Sequence, residues 1–314
     1  MMNRCYLCLL LFLLNGCCSM KITNDLTDNV ENEMGMIKVL IVDGFSNHDW
    51  KATTQMISSV LKEDAVFDVE VSTVPDQQSA EWETWLPSFG DYDVVIQNTN
   101  DISKKGAWPK NAQVALEQFM STGGGLYIFH SANNSFPKWL EYNEMIGLGW
   151  RGKNFGSAII VENEKVKNVS VGEGKNTGHG KRVDALITRL GDHPIHRGLP
   201  KRWVAADLEI YRYARGPAKN LDVLSYAEDE KTGLNFPIEW VVNYREGRVY
   251  NSTYGHYWHD LEEDPEGVRC VAFQTIMKRA VRWLAKFEID EIVPSNFPSE
   301  ESPSLHRPSH YGDH

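Results

Sequence analysis

The chain has 314 residues, of which 42% are hydrophobic and 24% charged, and its formal net charge is -11. This length is enough for one large α/β domain or two small ones, and the composition is typical of a globular protein. Lysine and arginine form no dense patch anywhere in the sequence. Because binding to phosphate backbones needs concentrated positive charge, we predict no nucleic-acid partner.

Residues 1–16 have the pattern of a signal peptide. A positively charged start precedes an apolar run over residues 6–14 that is too short to span a bilayer as a permanent helix. The sequence LNGC that ends at Cys17 resembles a bacterial lipobox, in which this cysteine becomes lipid-modified. We therefore expect an exported bacterial protein, either periplasmic or an outer-membrane lipoprotein whose only membrane contact is a lipid anchor, with plain secretion as the alternative. Residues 17–35 are polar and aperiodic, as in a tether.

The cysteines agree with export. Four of the five lie in or beside the leader, which leaves Cys270 alone in the remaining chain. A single cysteine cannot form an internal disulfide or a thiolate metal cluster. Cys270 falls in an amphipathic helical pattern, so we expect it to pack in the core.

Strands and helices alternate over the first half of the following domain. This alternation predicts an α/β fold with a doubly wound, mostly parallel sheet and helices on both faces. The predicted strands cover residues 37–44, 67–74 and 92–98, and the predicted helices cover residues 50–62 and a segment that begins at Pro109.

A fourth strand of this half follows a triple glycine, in the sequence GGGLYIFHSA at residues 123–132. Its short apolar run is typical of a buried central strand and ends at His130. We expect Ser135 to cap the helix that follows. A strand that feeds a helix through a tight turn places His130 at the carboxyl edge of the sheet, where ligands bind in open α/β folds. The alternative for His130 is a strand cap without chemistry.

The second half is less regular. The polar, glycine-rich residues 172–180 are expected to be mobile, and residues 288–314 form a polar tail that we expect to be disordered or loosely packed. Residues 36–287 then form one domain. Its further predicted strands cover residues 205–213, 221–227, 236–242 and 247–254, and its last predicted helix covers residues 268–287.

Polar residues follow the predicted parallel strands and could share one crevice. Asp43 and Asn98 end two of these strands, and His48 lies in the loop after Asp43. We take these three residues as candidate substrate-binding groups. The alternative is that they only terminate their strands, as polar residues often do.

Tryptophan is frequent, with ten residues. An indole face can stack on a sugar ring, and Trp50, Trp108, Trp150 and Trp258 fall in or beside the predicted strand-end loops. We take Trp150 and Trp258 as candidate contacts for a carbohydrate ligand. The alternative is that these side chains are structural.

Two residue pairs could carry chemistry. His256 and His259 are three residues apart and could share one divalent metal such as zinc, or they could be surface histidines. Asp207 and Glu209 alternate with Tyr211 on one face of a predicted strand. Paired carboxylates suit general acid–base catalysis when one has a raised pKa. The alternative is a solvated face or a salt bridge to an arginine.

Several motifs together resemble the ThuA-like family, named for trehalose utilisation. They are GGGLYIFHSA at 123–132, HPI at 193–195 with RGLP at 197–200, PIEW at 237–240, and GRVY at 247–250 with GH at 255–256. The resemblance runs from residue 37 to residue 284. It implies a class I glutamine amidotransferase-like, or flavodoxin-like, fold in which His130 occupies the strand-to-helix elbow of the amidotransferase cysteine. With no cysteine there, amidotransferase chemistry is excluded.

The resemblance implies a protein of sugar catabolism, acting on glycosides or on keto-sugars made by a partner sugar dehydrogenase. It brings over His130, Asp207, Glu209 and His256 as catalytic candidates for acid–base chemistry, with or without a divalent metal. The alternatives are a non-catalytic carbohydrate-binding protein and a structural partner in sugar uptake. Family members often carry a histidine just after the glycine–tryptophan loop, where residues 150–154 of this chain read WRGKN.

Overall fold

The computed structural model describes residues 35–102 and 106–309 of the chain. The predicted signal peptide, Cys17 and nearly all of the predicted tether lie outside the described residues. Among the residues that are described, no helix is long and apolar enough to cross a membrane.

The described part of the chain forms strands and helices that alternate in its first half, as predicted. The strands are β1 (Ile37–Asp43), β2 (Phe67–Thr73), β3 (Val94–Gln97), β4 (Gly125–Ile128), β5 (Ser157–Glu162), β6 (Lys165–Val169), β7 (Val183–Arg189), β8 (Arg202–Leu208), β9 (Arg215–Gly216), β10 (Leu221–Asp229), β11 (Leu234–Tyr244) and β12 (Gly247–Ser252). The α-helices are α1 (Trp50–Lys62), α2 (Lys110–Ser121), α3 (Leu140–Ile146), α4 (Glu266–Arg269) and α5 (Val271–Leu284).

Parallel strands form one half of the sheet, in the order β2-β1-β3-β4-β12. Strands β3 and β4 are buried along their whole length because helices cover both faces of the sheet. Within β1, Val39 packs in a cluster with α1 and α5, whereas its neighbour Leu40 packs in a second cluster with α2 and α3. The predicted α/β fold is confirmed.

The sheet continues beyond β12 with antiparallel strands, in the order β11-β10-β7-β8. Each antiparallel step reverses the strand direction, so after four steps β8 runs in the same direction as β12 and β4. The carboxyl end of β8 and the amino end of β7 therefore lie at the edge where the parallel strands end. Segments after β1, β4, β8 and β12, and the segment before β7, meet at this edge.

Close packing explains the triple glycine before β4. Gly123 has a φ of 106°, which glycine adopts without strain. A Cβ on Gly125 would lie 2.8 Å from the backbone oxygen of Leu284 at the end of α5. The glycines thus allow β4 to pass directly beneath α5, and this fixes where His130 follows.

Two predicted elements end differently in the structure. The strand predicted over residues 205–213 stops at Leu208, after Asp207 takes a φ of 47°. Because alternation is lost there, the prediction that Asp207, Glu209 and Tyr211 share one strand face is wrong. Ser135 caps no helix either: its hydroxyl donates to the carbonyl of Thr99 at 2.7 Å, and α3 begins five residues later.

The last predicted helix is interrupted at Cys270, which separates α4 from α5. The Cys270 side chain is fully buried, so the prediction that it packs in the core is confirmed.

The expectation of a loosely packed tail is wrong for residues 288–309. Ile289, Val293 and Phe297 pack against the core at four-residue intervals. The tail also pairs with the domain through its backbone, since the Val204 N–H donates to Ser299 O at 2.8 Å. A few apolar side chains in this polar, proline-containing segment therefore hold it against the domain by burying apolar surface.

Candidate functional site

A cavity of about 300 Å³ opens at the carboxyl edge of the parallel strands. It lies next to β1, where the strand order reverses because β2 lies on one side of β1 and β3 on the other. Open α/β sheets bind ligands at such a position. Its walls come from segments that are distant in the sequence. The lining residues are Asn47, His48, Ile102, Asn134, Trp150, His179, Glu209, Tyr211, His256 and Trp258.

Glu209 is the carboxylate of this cavity, one residue beyond the end of β8. It is only 5% exposed. Its Oε2 lies 3.7 Å from His130 Nε2, and its Oε1 lies 3.6 Å from His256 Nε2 and 3.5 Å from His179 Nδ1. Burial raises the pKa of Glu209, although the charges of His179 and Arg182 oppose the rise. These distances exceed hydrogen-bond length and leave Glu209 available to a ligand.

His130 occupies the elbow after β4, as the sequence predicted. Its φ of 40° is a strained value for a residue with a side chain. Its Nδ1–H donates to Thr253 O at 2.9 Å, which fixes the tautomer and leaves Nε2 unprotonated. This Nε2 is buried without a hydrogen-bond partner. Burial lowers the pKa of His130 far below its usual value, so the ring is neutral at pH 7.

His256 follows β12 and is held from behind by an arginine. Arg182 Nη1 donates to His256 Nδ1 at 2.5 Å, so the proton of the neutral ring sits on Nε2 and faces Glu209. Burial, together with the charges of the neighbouring His48 and Arg182, lowers the pKa of His256 to about 3. His256 can therefore act as a neutral N–H donor in the cavity.

Asp207 does not pair with Glu209 in the cavity wall. Its Oδ1 lies 3.2 Å from Arg182 Nε, which is the salt bridge to an arginine that the sequence left as the alternative. Asp207 thus acts on the cavity through Arg182, which in turn contacts His256. The geometry makes Asp207 a positioning residue.

His48 lies against both other histidines. Its ring centroid is 5.0 Å from that of His130 and 4.9 Å from that of His256. Its Nδ1 donates to Asn47 Oδ1 at 3.0 Å, and burial lowers its pKa to about 4. One ring nitrogen from each of the three histidines lies within 4.8 Å of the others, which is a spacing that a metal ion could bridge.

The predicted metal pair of His256 and His259 is not formed. The His259 side chain is 45% exposed and lies 3.9 Å from Asp49, outside the histidine cluster. His256 instead groups with two histidines that follow other strands. The local spacing of three residues was misleading because residues 256–259 form no helical turn.

Asp43 and Asn98 are buried beside the cavity but do not line it. Asp43 accepts hydrogen bonds from Thr54 and Thr73, and Asn98 donates to Thr53. These bonds join the end of β1 to the end of β2 and to α1, and they join the residue after β3 to α1. The structure therefore gives both residues a part in positioning the His48 loop.

The four tryptophans separate into different environments. Trp150 and Trp258 line the cavity, and Trp258 is 47% exposed. Trp108 is 1% exposed and stacks on Phe89 in the core, with 6.1 Å between the ring centroids. Trp50 begins α1 and is not among the residues that line the cavity.

The sequence did not lead us to His179 or Arg182 as site residues, and it suggested Tyr211 only as a residue on the same strand face as Asp207 and Glu209. His179 lies 5.4 Å from Trp150 between ring centroids, so it brings an imidazole to the glycine–tryptophan loop from elsewhere in the chain. Buried Arg215 holds its loop through the carbonyls of Ser170 and Lys175. These contacts contradict the expectation of a freely mobile segment. No local pattern around His179 could have revealed this placement.

A second cavity of about 270 Å³ lies between α5 and the C-terminal segment. Its charged side chains are engaged with one another: Lys278 pairs with Glu63 at 3.0 Å and Arg282 pairs with Asp64 at 2.7 Å. The Glu209 carboxylate, which lies beyond hydrogen-bond length from its neighbours, and the unpartnered His130 Nε2 make the first cavity the candidate site.

Comparisons with known proteins agree with these observations. A model of the ThuA family, described as trehalose utilisation, matches residues 38–284. A ThuA-like protein from Parabacteroides merdae ATCC 43184 superposes with a TM-score of 0.80 at 28% sequence identity, over 86% of this chain and 98% of that chain. A ThuA-like protein from Bacteroides uniformis ATCC 8492 gives a TM-score of 0.48 at 17% identity, over 79% and 91% of the two chains. No curated protein matches the chain in sequence.

Proposed function

The chain belongs to the ThuA family of trehalose utilisation, and from this premise we propose that it acts on glycosides or keto-sugars by acid–base chemistry in the Glu209 cavity. The observation that carries the proposal is the environment of Glu209. A buried carboxylate of raised pKa faces three imidazoles and an open volume of about 300 Å³. A base of raised pKa can remove a proton more effectively near neutral pH than an ordinary carboxylate.

The proposed step is removal of a proton from the carbon beside a sugar ketone. The proton moves to the Glu209 carboxylate, and the electron pair of the broken C–H bond moves into the enolate, whose oxygen becomes negative. The His256 Nε2–H is aimed into the cavity, and Tyr211 lines it with a phenol whose pKa is raised well above its usual value by burial. Both are neutral donors that could hold the enolate oxygen.

The tryptophans give the cavity a surface suited to a sugar. Trp150 contacts Tyr211 edge-to-face, with 5.4 Å between ring centroids, and Trp258 stands at the mouth beside His48. Aromatic faces of this kind pack against the C–H face of a pyranose while polar side chains bind its hydroxyls. This arrangement supports a carbohydrate as the ligand class.

Turnover by a Glu209→Gln variant tests the proposal. The amide keeps the shape of the side chain but cannot accept the proton, so we expect turnover of a panel of 3-keto-glycosides to fall by at least about 100-fold. Melting temperature should change little. The control is Glu228→Gln, an exposed carboxylate on β10, which should retain wild-type turnover. Wild-type turnover by Glu209→Gln would contradict the proposal.

A non-catalytic carbohydrate-binding protein is the second candidate, because Trp150 and Trp258 in the cavity wall favour sugar binding whether or not a reaction follows. Calorimetry with unmodified disaccharides and their 3-keto forms separates the two. Tight binding of both forms without turnover of either would favour the binding protein.

A further inference from the structure

We propose that His48, His130 and His256 form a binding site for a divalent cation of zinc type. The inference rests on the same cavity as the proposed function and deepens it by naming a cofactor class. It goes beyond the predicted pair of His256 and His259, since two of its three ligands come from other loops. Metal content can be measured without turnover, so the two proposals can fail separately.

The first support is the mutual geometry of the three rings. Their centroids lie 4.9 to 5.3 Å apart, and each pair of planes is inclined by 82° to 85°. One nitrogen from each ring lies within 4.8 Å of the others. Tetrahedral zinc with Zn–N bonds of about 2.0–2.1 Å needs nitrogens about 3.4 Å apart, so side-chain rotations that bring the nitrogens closer by up to roughly 1.4 Å are enough.

The second support is the hydrogen bonding behind the rings. His130 and His48 each donate Nδ1–H to an oxygen, that of Thr253 and that of the Asn47 side chain. Metal-ligating histidines are held in this way, because it fixes the tautomer and leaves Nε2 free for the ion. His130 is 1% exposed, and its Nε2 has no hydrogen-bond partner. A buried polar atom without a partner costs free energy unless a ligand binds it.

The third support is the charge opposite the histidines. The Glu209 carboxylate lies 3.7 Å from the unprotonated Nε2 of His130, so two acceptors face each other. A cation between them would satisfy both. Three imidazoles with a nearby carboxylate and an accessible cavity are the donor set of an open zinc site. When bound, the ion would supply a Lewis acid that polarises a sugar oxygen.

Arg182 opposes cation binding by His256, the third proposed ligand. Because it donates to His256 Nδ1, it places the ring proton on Nε2, the nitrogen that faces Glu209. A cation that binds this nitrogen must displace that proton and tolerate the arginine charge. We therefore expect Arg182→Met to bind the cation several-fold more tightly than the wild type.

Metal titration of the tag-free, chelator-treated protein tests the inference. We expect one equivalent of Zn²⁺ by equilibrium dialysis, and one equivalent of Co²⁺ with the visible absorption of a tetrahedral ion. His48→Ala and His130→Ala should each weaken binding by at least about 10-fold. The control is His193→Asn, which removes a histidine that packs on Trp283 and does not line the cavity, and which should bind as the wild type does. Circular dichroism verifies that each variant is folded.

Two outcomes overturn the inference. One is the absence of stoichiometric binding to the wild type at micromolar Zn²⁺. The other is unchanged affinity in a folded His48→Ala variant, which covers the case in which His130→Ala does not fold. His259→Ala should retain binding, and a loss there would instead support the His256–His259 pair. If the wild type binds no stoichiometric Zn²⁺ and turnover still depends on Glu209, the proposed function survives and the cation site does not.

Discussion

His130 is the residue at which the sequence and the structure agree most directly. The sequence predicted a strand-to-helix elbow, and the structure shows the positive φ that is typical of a strained nucleophile elbow. The chemistry could not be read from the same residues. It depends on Thr253 and Glu209, which lie 123 and 79 positions away in the chain and are brought to His130 only by the sheet.

A His130→Asn variant separates strain from chemistry. Asparagine tolerates a positive φ better than histidine, and its amide N–H can replace the Nδ1–H bond to Thr253 O. We expect a melting temperature within a few degrees of the wild type and turnover of 3-keto-glycosides lower by at least about 100-fold, because the variant lacks the Nε2 acceptor that faces the Glu209 carboxylate.

The matched control for that variant is Lys286→Asn. Lys286 is exposed, lies beyond α5 and has a φ of 63°. Its substitution by asparagine therefore relieves similar backbone strain at a position outside the cavity. Turnover by Lys286→Asn should be unchanged. Wild-type turnover by His130→Asn would contradict a part for His130 in the chemistry.

Elements with local stop and start signals were predictable from the sequence. Helix α1 begins and ends where predicted, and its start is fixed by the Asp49 side chain, which accepts from the Ala52 N–H as an N-cap. Ser135 gave the same local signal but found a better partner in Thr99 O. The prediction of a strand over residues 205–213 failed because the β-bulge at Asp207 does not alter the alternating pattern of the sequence.

The C-terminal segment shows packing that composition concealed. Phe297 contacts Trp203 edge-to-face, with 5.7 Å between ring centroids, and packs against the main hydrophobic cluster. We expect Phe297→Ala to lower the free energy of unfolding by about 1–3 kcal/mol, less than a fully buried phenylalanine because Phe297 is partly exposed.

The control for this segment is Ile292→Ala, because the Ile292 side chain is 77% exposed. Its free energy of unfolding should stay within about 0.5 kcal/mol of the wild type. Urea unfolding measures both variants. Equal stability of Phe297→Ala and the wild type would show that the segment does not contribute to the fold.

At the scale of the whole molecule, the alternation of strands and helices predicted the parallel half of the sheet but not the antiparallel half. Four antiparallel steps carry β8 back to the direction of β12, and this is why Glu209 reaches the edge where His130 lies. Neither the number of these steps nor their register leaves a periodic signal in the sequence. The candidate residues were therefore largely predictable, whereas their grouping was not.

Export and a lipid anchor remain predictions from residues 1–17, and a sugar dehydrogenase that supplies the keto-sugar remains a proposal. The central claim concerns the assembled cavity: Glu209 acts as a base beside the neutral rings of His130 and His256. It predicts that the reaction needs the ionised carboxylate, so the rate should fall as the pH drops through the raised pKa of Glu209, above its usual value of 4.5.

Deuterium exchange at the carbon beside the ketone of a 3-keto-glycoside, followed by NMR across pH, tests this claim most directly. For the wild type we predict exchange that rises with pH through a single ionisation above pH 4.5 and then reaches a plateau. For Glu209→Gln we predict a residual rate at least about 100-fold lower that lacks this ionisation. Exchange by Glu209→Gln at the wild-type rate, with the same dependence on pH, would contradict the account.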